Sequence, residues 1–368
     1  AKRPVRVAVI QLGNYDGCIY NARQIVEKIG HLCDYIYFDS AWVGYEQFIP
    51  MLRDCSPLLL NLGPDDPGII VSQSVHKHQA GFSMSSQIHK KDAHIKGQER
   101  YLPHKRLNNS FMVNASTSPF YQVFASLDMN ARIQEGEGGA LLWKECMELS
   151  VEARKAVIRN CKYLKPLVPP VVPEKCDLND ILFIITPAET KAKINNLISR
   201  ILHFEAFVDN DAPMAKVLPN IYHTYQDKYA GYTIRRLCQE MHDFYKERKV
   251  NVLQKHLFLK NYFPIYSMSP QEANYELVRG HGELIDLAEA EGRVALEGGV
   301  PYPPGVPCIQ PGEKWSKTAI AYFMALAEVF NLFPGFTPEL QGVYMERAAD
   351  GKFHVYAQVL KKEYEKIL

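Results

Sequence analysis

The sequence contains no apolar run approaching the ~20 residues that a membrane helix requires, so a helical membrane span is not expected. Its eight cysteines include no C-x-x-C pair, so their spacing indicates neither a zinc site nor a disulfide framework. Scattered thiols of this kind suit a reducing cytoplasm. The net charge of +1 gives no reason to expect nucleic acid or a membrane as a partner. There is no internal repeat and no low-complexity tract. Ala1-Lys2-Arg3-Pro4 leads directly into a strand-like run, without the apolar core of a signal peptide. What is present is a globular composition, 47% hydrophobic and 23% charged. At 368 residues, the length suggests two or three domains.

Two stretches organise the rest: Tyr37-Phe38-Asp39-Ser40-Ala41-Trp42 and Gln73-Ser74-Val75-His76-Lys77. Each follows a short apolar run that reads as a buried strand, Tyr35 to Phe38 and Ile69 to Val71. Arg6 to Leu12 reads as a further strand. The turn Asn14-Tyr15-Asp16-Gly17 and a helical pattern from Asn21 to about His31 then return the chain to the strand ending at Asp39. Such a unit predicts a parallel sheet with a right-handed crossover. Asp39 and Ser74 to Lys77 then stand at strand ends, a favoured ligand position in an open α/β sheet. A carboxylate at one strand end and a lysine at the next suit pyridoxal phosphate. The lysine carries the aldehyde as a Schiff base, and the carboxylate keeps the pyridine nitrogen protonated. A surface lysine and an ordinary strand-end aspartate would give the same spacing.

Further along, Lys90, Lys91, Lys96, Lys105 and Arg106 alternate with polar residues and read as a solvated loop. Asn108 to Ser118 reads as strand plus turn, with Pro119 opening a helix. Thr117, just ahead of it, is placed to donate to a phosphate near a helix N-terminus; a hydroxyl that merely caps the helix would look the same. Gly136-Glu137-Gly138-Gly139 breaks the pattern, and Leu141 to Leu164 follows as an amphipathic helix. Ile181 to Ile185 reads as a strand and Glu189 to Val208 as a helix. Tyr-rich helices such as Thr233 to Lys249 come next, then Pro-rich turns from Pro301 to Pro311.

Phe38-Asp39-Ser40-Ala41-Trp42, Ser74-Val75-His76-Lys77, Ser86-Gln87-Ile88-His89-Lys90-Lys91-Asp92 and Ser116-Thr117-Ser118-Pro119-Phe120-Tyr121 resemble motifs of the bacterial ornithine/lysine/arginine decarboxylases. So do Pro173-Glu174-Lys175-Cys176-Asp177-Leu178-Asn179, Pro301-Tyr302-Pro303-Pro304-Gly305 and Pro334-Gly335-Phe336. The motifs occur in family order along nearly the whole chain, with ornithine decarboxylases the nearest in character. The resemblance implies an α/β chain of three parts. Residues 1–134 would be the second half of an aspartate-aminotransferase-like (fold type I) large domain, 135–212 a small α+β domain, and 213–368 a C-terminal α+β domain. It also implies that the other half of the large domain and an N-terminal wing lie upstream. At Val172-Pro173, where relatives carry several dozen more residues, a segment is expected to be missing, through either deletion or numbering.

The resemblance further implies pyridoxal phosphate as cofactor, with Lys77 carrying it and Asp39 on the ring nitrogen. Ala41 and Trp42 would line the pocket, and Ser74 and His76 would face the phosphate. Lys77, or a neighbour such as His76, would return the proton to Cα. Thr117 would reach the cofactor of a neighbouring subunit in a homodimer or a ring of dimers. Glu174 would face the distal ammonium of a basic amino acid. A core tryptophan, a satisfied core histidine and an exposed Glu-Lys pair are the corresponding plain readings of Trp42, His76 and Glu174. The implied reaction is decarboxylation of ornithine to putrescine and carbon dioxide, or failing that of lysine or arginine. A catalytically incomplete relative, either a fragment or a regulatory partner that dimerises with full-length enzyme, is a second possibility. An aminotransferase would share the lysine and aspartate but not the Ser-Val-His-Lys and Pro-Glu-Lys-Cys-Asp-Leu-Asn motifs. No metal site is expected.

Overall fold

A computed structural model describes residues 2–14, 17–166, 183–302 and 305–365. They form two compact units, which divide between Leu202 and His203.

In the first unit, β1 (Val5–Gln11), β2 (Cys33–Asp39), β3 (Gly68–Ser74) and β4 (Ser86–Lys91) form one sheet in that order. β1–β2 and β2–β3 pair in parallel, as the strand-helix-strand pattern predicts, and β3–β4 pair antiparallel. β2 and β3 are near-continuous apolar runs because both of their faces are covered; Ile36, Phe38, Ile69 and Val71 are fully buried. Helix α1 (Ala22–Ile29) is the crossover. Its N-cap Asn21 accepts the Gln24 backbone N–H at 3.0 Å, and Ala22 and Val26 join the sheet's core. Gly68 is required by close approach, since a Cβ there would fall 2.2 Å from the Tyr35 ring. β1 is the edge strand, and Val7 and Val9 on it are exposed.

Several expectations are corrected. Lys90 and Lys91 are not in a solvated loop but on β4, where the chain pairs with β3 instead of staying in water. Lys90 donates to Asp92 at 2.6 Å and to the Leu102 carbonyl at 2.9 Å. Lys91 donates to the Leu58 and Leu60 carbonyls at 2.7 and 2.6 Å. Lys96, Lys105 and Arg106 are exposed, as expected. The stretch expected as strand plus turn is helix α3 (His104–Met112) followed by a turn. Phe111, Met112 and Val113 look like strand residues, but all three are exposed, and among the described residues no strand pairs with them. Helix α4 (Tyr121–Gln134) follows. Helix α5 (Gly136–Asn160) starts at the glycines rather than after them and ends four residues earlier than expected. Residues 183–185 are not a strand; Phe183 and Ile184 are exposed there. Helix α6 (Lys191–Asp209) closes this part of the chain.

The second unit has its own core. The helix Lys317–Leu332 packs on the strand Phe353–Leu360 of a three-stranded antiparallel sheet. Trp315, Tyr322, Phe323, Val355, Ala357 and Val359 fill the space between. The helix Ile234–Glu247, capped by Thr233, contributes Ile234, Leu237 and Phe244 to a second cluster with Met214 and Tyr229.

Candidate active site

β2 and β3 run parallel, with Asp39 opposite Ser72, so both strands deliver their carboxyl ends to one edge. Beyond β2 the chain stays tied to β3 through the Ser40 N–H, which donates to the Ser72 carbonyl at 2.8 Å. Asp39 Oδ1 accepts the Ala41 N–H at 2.9 Å, and the Val43 N–H closes the turn onto the Ser40 carbonyl at 3.1 Å. That turn carries Trp42 to a point where the Lys77 ammonium lies 4.2 Å from its ring centroid, within cation–π range.

β3 ends at Ser74, and the single-turn helix α2 (Val75–His78) begins at once. Two bonds to one carbonyl fix it. The Val75 N–H donates to Ser85 O at 3.1 Å, and His76 Nδ1 donates to the same oxygen at 2.8 Å. Val75 is fully buried and anchors the turn, leaving Lys77 partly buried beside Trp42. Burial pushes the Lys77 amine below the ordinary lysine range, opposed by the nearby Asp39 charge. A larger share of the amine is therefore unprotonated, the state in which it attacks a carbonyl.

Six residues picked out in the sequence are thus brought to two adjacent strand ends: Asp39, Ala41, Trp42, Ser74, His76 and Lys77. Thr117 is not among them. It is exposed in the connection between α3 and α4, four residues ahead of the first residue of α4. Glu174 lies outside the described residues, as does the Val172-Pro173 junction.

Other site residues were not read from the sequence. His78 packs tilted against Tyr45, with ring centroids 5.1 Å apart, and edge-on to Trp42 at 6.3 Å. Burial and the Lys77 charge both hold His78 below the usual imidazole range, so it is neutral at pH 7. Tyr45 stacks on Trp143 of α5 at 5.2 Å, and its burial raises the phenol to about 12. A cavity of about 250 Å³ opens beside α2, lined by His78, Gln79, Ile133 and Leu142 among others. Adjacency to Lys77 could have flagged His78. Nothing local could have brought in Trp143, whose contact with Tyr45 spans nearly a hundred positions.

This donor set offers an amine with lowered proton affinity, a carboxylate, a hydroxyl, an imidazole and an aromatic wall. It can form and hold a covalent adduct with an aldehyde. Among the described residues no group of His, Cys, Asp and Glu side chains could hold a metal ion.

The family model for the Orn/Lys/Arg decarboxylase major domain matches residues 1–173, and that for the C-terminal domain of the same family matches 251–361. The inducible ornithine decarboxylase of Escherichia coli (strain K12) is 50% identical over 439 residues, covering 98% of this chain and 60% of that protein. The ornithine decarboxylase of Haemophilus influenzae is 49% identical, covering 98% of this chain and 61% of that protein. Both alignments are longer than the 368 residues present, so these relatives carry residues that this chain skips. Lysine decarboxylase A from Pseudomonas aeruginosa superposes with a TM-score of 0.87 at 26% identity, over 98% of this chain and 58% of that one. The fold is that of these decarboxylases, as the motifs implied. The chain spans about 60% of the length of the curated relatives it matches.

Proposed function

The chain belongs to the Orn/Lys/Arg decarboxylase family, and we propose that it decarboxylates L-ornithine to putrescine and carbon dioxide with pyridoxal phosphate as cofactor. One observation supports this above all. Lys77, on the turn that follows β3, lies against Trp42 with its amine pushed down by burial and held up by the charge of Asp39 at the end of the parallel neighbour β2. The choice of ornithine is supported by the relatives near half identity, whose names specify it. The lysine decarboxylase LdcA of Pseudomonas aeruginosa is 27% identical.

The residues present fit that cofactor. Lys77 supplies the amine for its aldehyde, Asp39 the carboxylate for its ring nitrogen, and Ser74 and His76 two donors for its phosphate. His76 has Nδ1 committed to Ser85, which leaves Nε2 as the nitrogen for an anion. Ala41 and Trp42 wall the pocket. When bound, the cofactor supplies an electron sink for the pair left behind as the α-carboxylate departs. Asp39 holds the proton on the ring nitrogen that makes the sink effective. Lys77, held by the Trp42 face, is the group that returns a proton to Cα, with His76 its neighbour on the same turn. Glu174 is proposed to receive the distal ammonium of the substrate.

Thr117, exposed in this chain, is proposed to act at the site of a second copy, in a homodimer or a ring of dimers. Among the described residues no helix is long and apolar enough to cross a membrane. The eight cysteines include no C-x-x-C pair, which suits the cytoplasmic setting we propose.

The test is an absorbance spectrum with added pyridoxal phosphate, followed by carbon dioxide release from ornithine, lysine and arginine. A new visible band and fastest release from ornithine are expected. Faster release from lysine or arginine would overturn the substrate assignment, and no band would overturn the cofactor.

A further inference from the structure

The loop that carries Trp42 also carries a carboxyl group that no step above uses. Glu46 is 0% exposed and opens the single turn Glu46–Phe48. Its Oε2 accepts the Gly44 N–H, and the Ser56 hydroxyl and Glu46's own N–H also face the carboxyl group. Gly44 sits at φ 109°, a conformation that side chains resist. A Cβ there would also meet the Gln79 and Gln73 amide nitrogens at 3.1 and 3.2 Å. Both backbone groups of Gly44 are held by side chains: Glu46 accepts its N–H, and Gln47 Nε2 donates to its carbonyl at 2.8 Å. On one side of Gly44 is Trp42, against Lys77; on the other is Tyr45, between His78 and Trp143.

The groups facing Glu46 are Tyr45, Cys55, the Ser56 hydroxyl and the Gly44 N–H. None carries positive charge. A buried carboxylate with no cation beside it is costly to ionise even with the Gly44, Ser56 and Glu46 donors around it, and such a group takes up a proton instead. Burial pushes Glu46 up accordingly.

We infer that Glu46 is a positioning residue, present as the neutral acid, that fixes the Gly44 turn and so holds Trp42 against Lys77 and Tyr45 against His78. The inference rests on the reading of Lys77 as the reactive amine. The neutral form matters because an ionised Glu46 would add a second negative charge to a loop where Asp39 alone is needed. The linkage has a definite sign. Folded Glu46 keeps a proton that the unfolded chain releases above the ordinary carboxyl range. Stability is therefore complete at low pH and is lost as pH rises through the raised folded value.

The test compares wild type, Glu46→Ala and Glu46→Gln in the full-length protein. Denaturant midpoints without cofactor, taken from about pH 5 to 8, should fall with pH more steeply for wild type than for Glu46→Gln. With cofactor, Glu46→Ala should lower kcat by roughly ten- to a hundredfold, through misplacement of Lys77, with a smaller change in KM. Glu46→Gln, which still accepts the Gly44 N–H, should rescue most of that loss. Equal pH slopes for wild type and Glu46→Gln would show Glu46 ionised and overturn the inference. So would Glu46→Gln failing as badly as Glu46→Ala. If Glu46→Ala does not fold, Glu46→Asp replaces it: the acid is kept but drawn back by one methylene, and kcat should still fall. A wild type that never binds pyridoxal phosphate would sink the functional reading alone, while the pH slopes would still decide the state of Glu46.

Discussion

The two compact units treat buried polarity in opposite ways. In the first, Ser40, Gln73, His78, Gln79, Ser85 and Arg100 each have a buried polar side-chain atom without a hydrogen-bond partner, and most lie within a few positions of Asp39 or Lys77. Among the described residues of the second, only Trp315 does. There, polar groups are spent on the fold. Arg293 donates to Glu283 at 2.7 Å, to Glu365 at 3.0 Å and to the Leu360 carbonyl, and the Tyr229 hydroxyl donates to the Pro334 carbonyl at 2.8 Å. Each buried group without a partner costs roughly 1–3 kcal/mol. A unit that carries several around two strand ends is built for chemistry at those ends; a unit that carries one is built for its own packing. If that is right, substitutions in the first should alter activity more than stability, and substitutions in the second the reverse.

The largest effect should come from Lys77. Lys77→Ala removes the amine and the proton donor together, so turnover should fall below detection while the denaturation midpoint barely moves. Borohydride reduction of wild type followed by peptide mapping should place the pyridoxyl group on Lys77; label on another lysine would end this assignment. Asp39→Asn is next. It keeps the shape and removes the charge behind the electron sink, and losing one preorganised electrostatic group costs ~10²–10³ in rate. Near-normal turnover in Asp39→Asn would move that role elsewhere.

Arg293→Met addresses the other side of the contrast. The Arg293 side chain is only 11% exposed, so its removal strands two carboxylates. Because Glu283 is 39% and Glu365 27% exposed, water recovers part of the loss, and about 1–3 kcal/mol of stability should go. Denaturant unfolding measures it. A smaller loss would mean that the polar hub is decorative.

Trp42→Ala should be milder than either site change. It opens the wall that buries Lys77 and also removes the cation–π contact that favours the ammonium; burial is the larger effect, so the amine's pKa should move back up toward the ordinary lysine value. The rate of cofactor attachment would then rise with pH along a curve displaced to higher pH than in wild type. Turnover at pH 7 should fall by about tenfold, the value of one cation–π and desolvation contact of ~1–2 kcal/mol. An unshifted pH curve would show that burial by Trp42 is not what lowers Lys77.

Much of the site was legible in the sequence because its residues are local. Asp39 ends one apolar run and Lys77 follows a few residues after another, and strand ends in a parallel sheet converge whatever the loops do. The crossover helix was legible for the same reason, as a helical pattern from Asn21 to about His31. What was not legible depends on distant partners. Lys90 and Lys91 look like solvent-facing charges until β4 pairs with β3 and carbonyls from other segments take their ammonium groups. Phe111 to Val113 have strand-like side chains but, among the described residues, no strand to pair with. Glu46 reads as an ordinary polar loop residue, and only the fold makes it a buried acid.

The smallest effect should come from Trp315, the exception in the second unit. Its side chain is 1% exposed and packs edge-on against Phe323, with centroids 5.8 Å apart. Its backbone is pinned by bonds to Arg293 and Gly292 at 3.0 and 2.9 Å, so a substitution there changes the side chain and little else. Trp315→Phe deletes the unpartnered N–H, which recovers roughly 1–3 kcal/mol of desolvation. It also leaves a void of a few tens of Å³ at ~24 cal/mol per Å³, about 1 kcal/mol, with a similar loss of transfer energy. The two nearly cancel, so stability should change by less than ~1 kcal/mol. Turnover should not change at all. A loss above ~3 kcal/mol would mean that the indole N–H is satisfied after all, and the second unit would then have no exception. A loss of turnover with stability intact would instead carry chemistry into the unit assigned to packing, and the contrast between the two would fail.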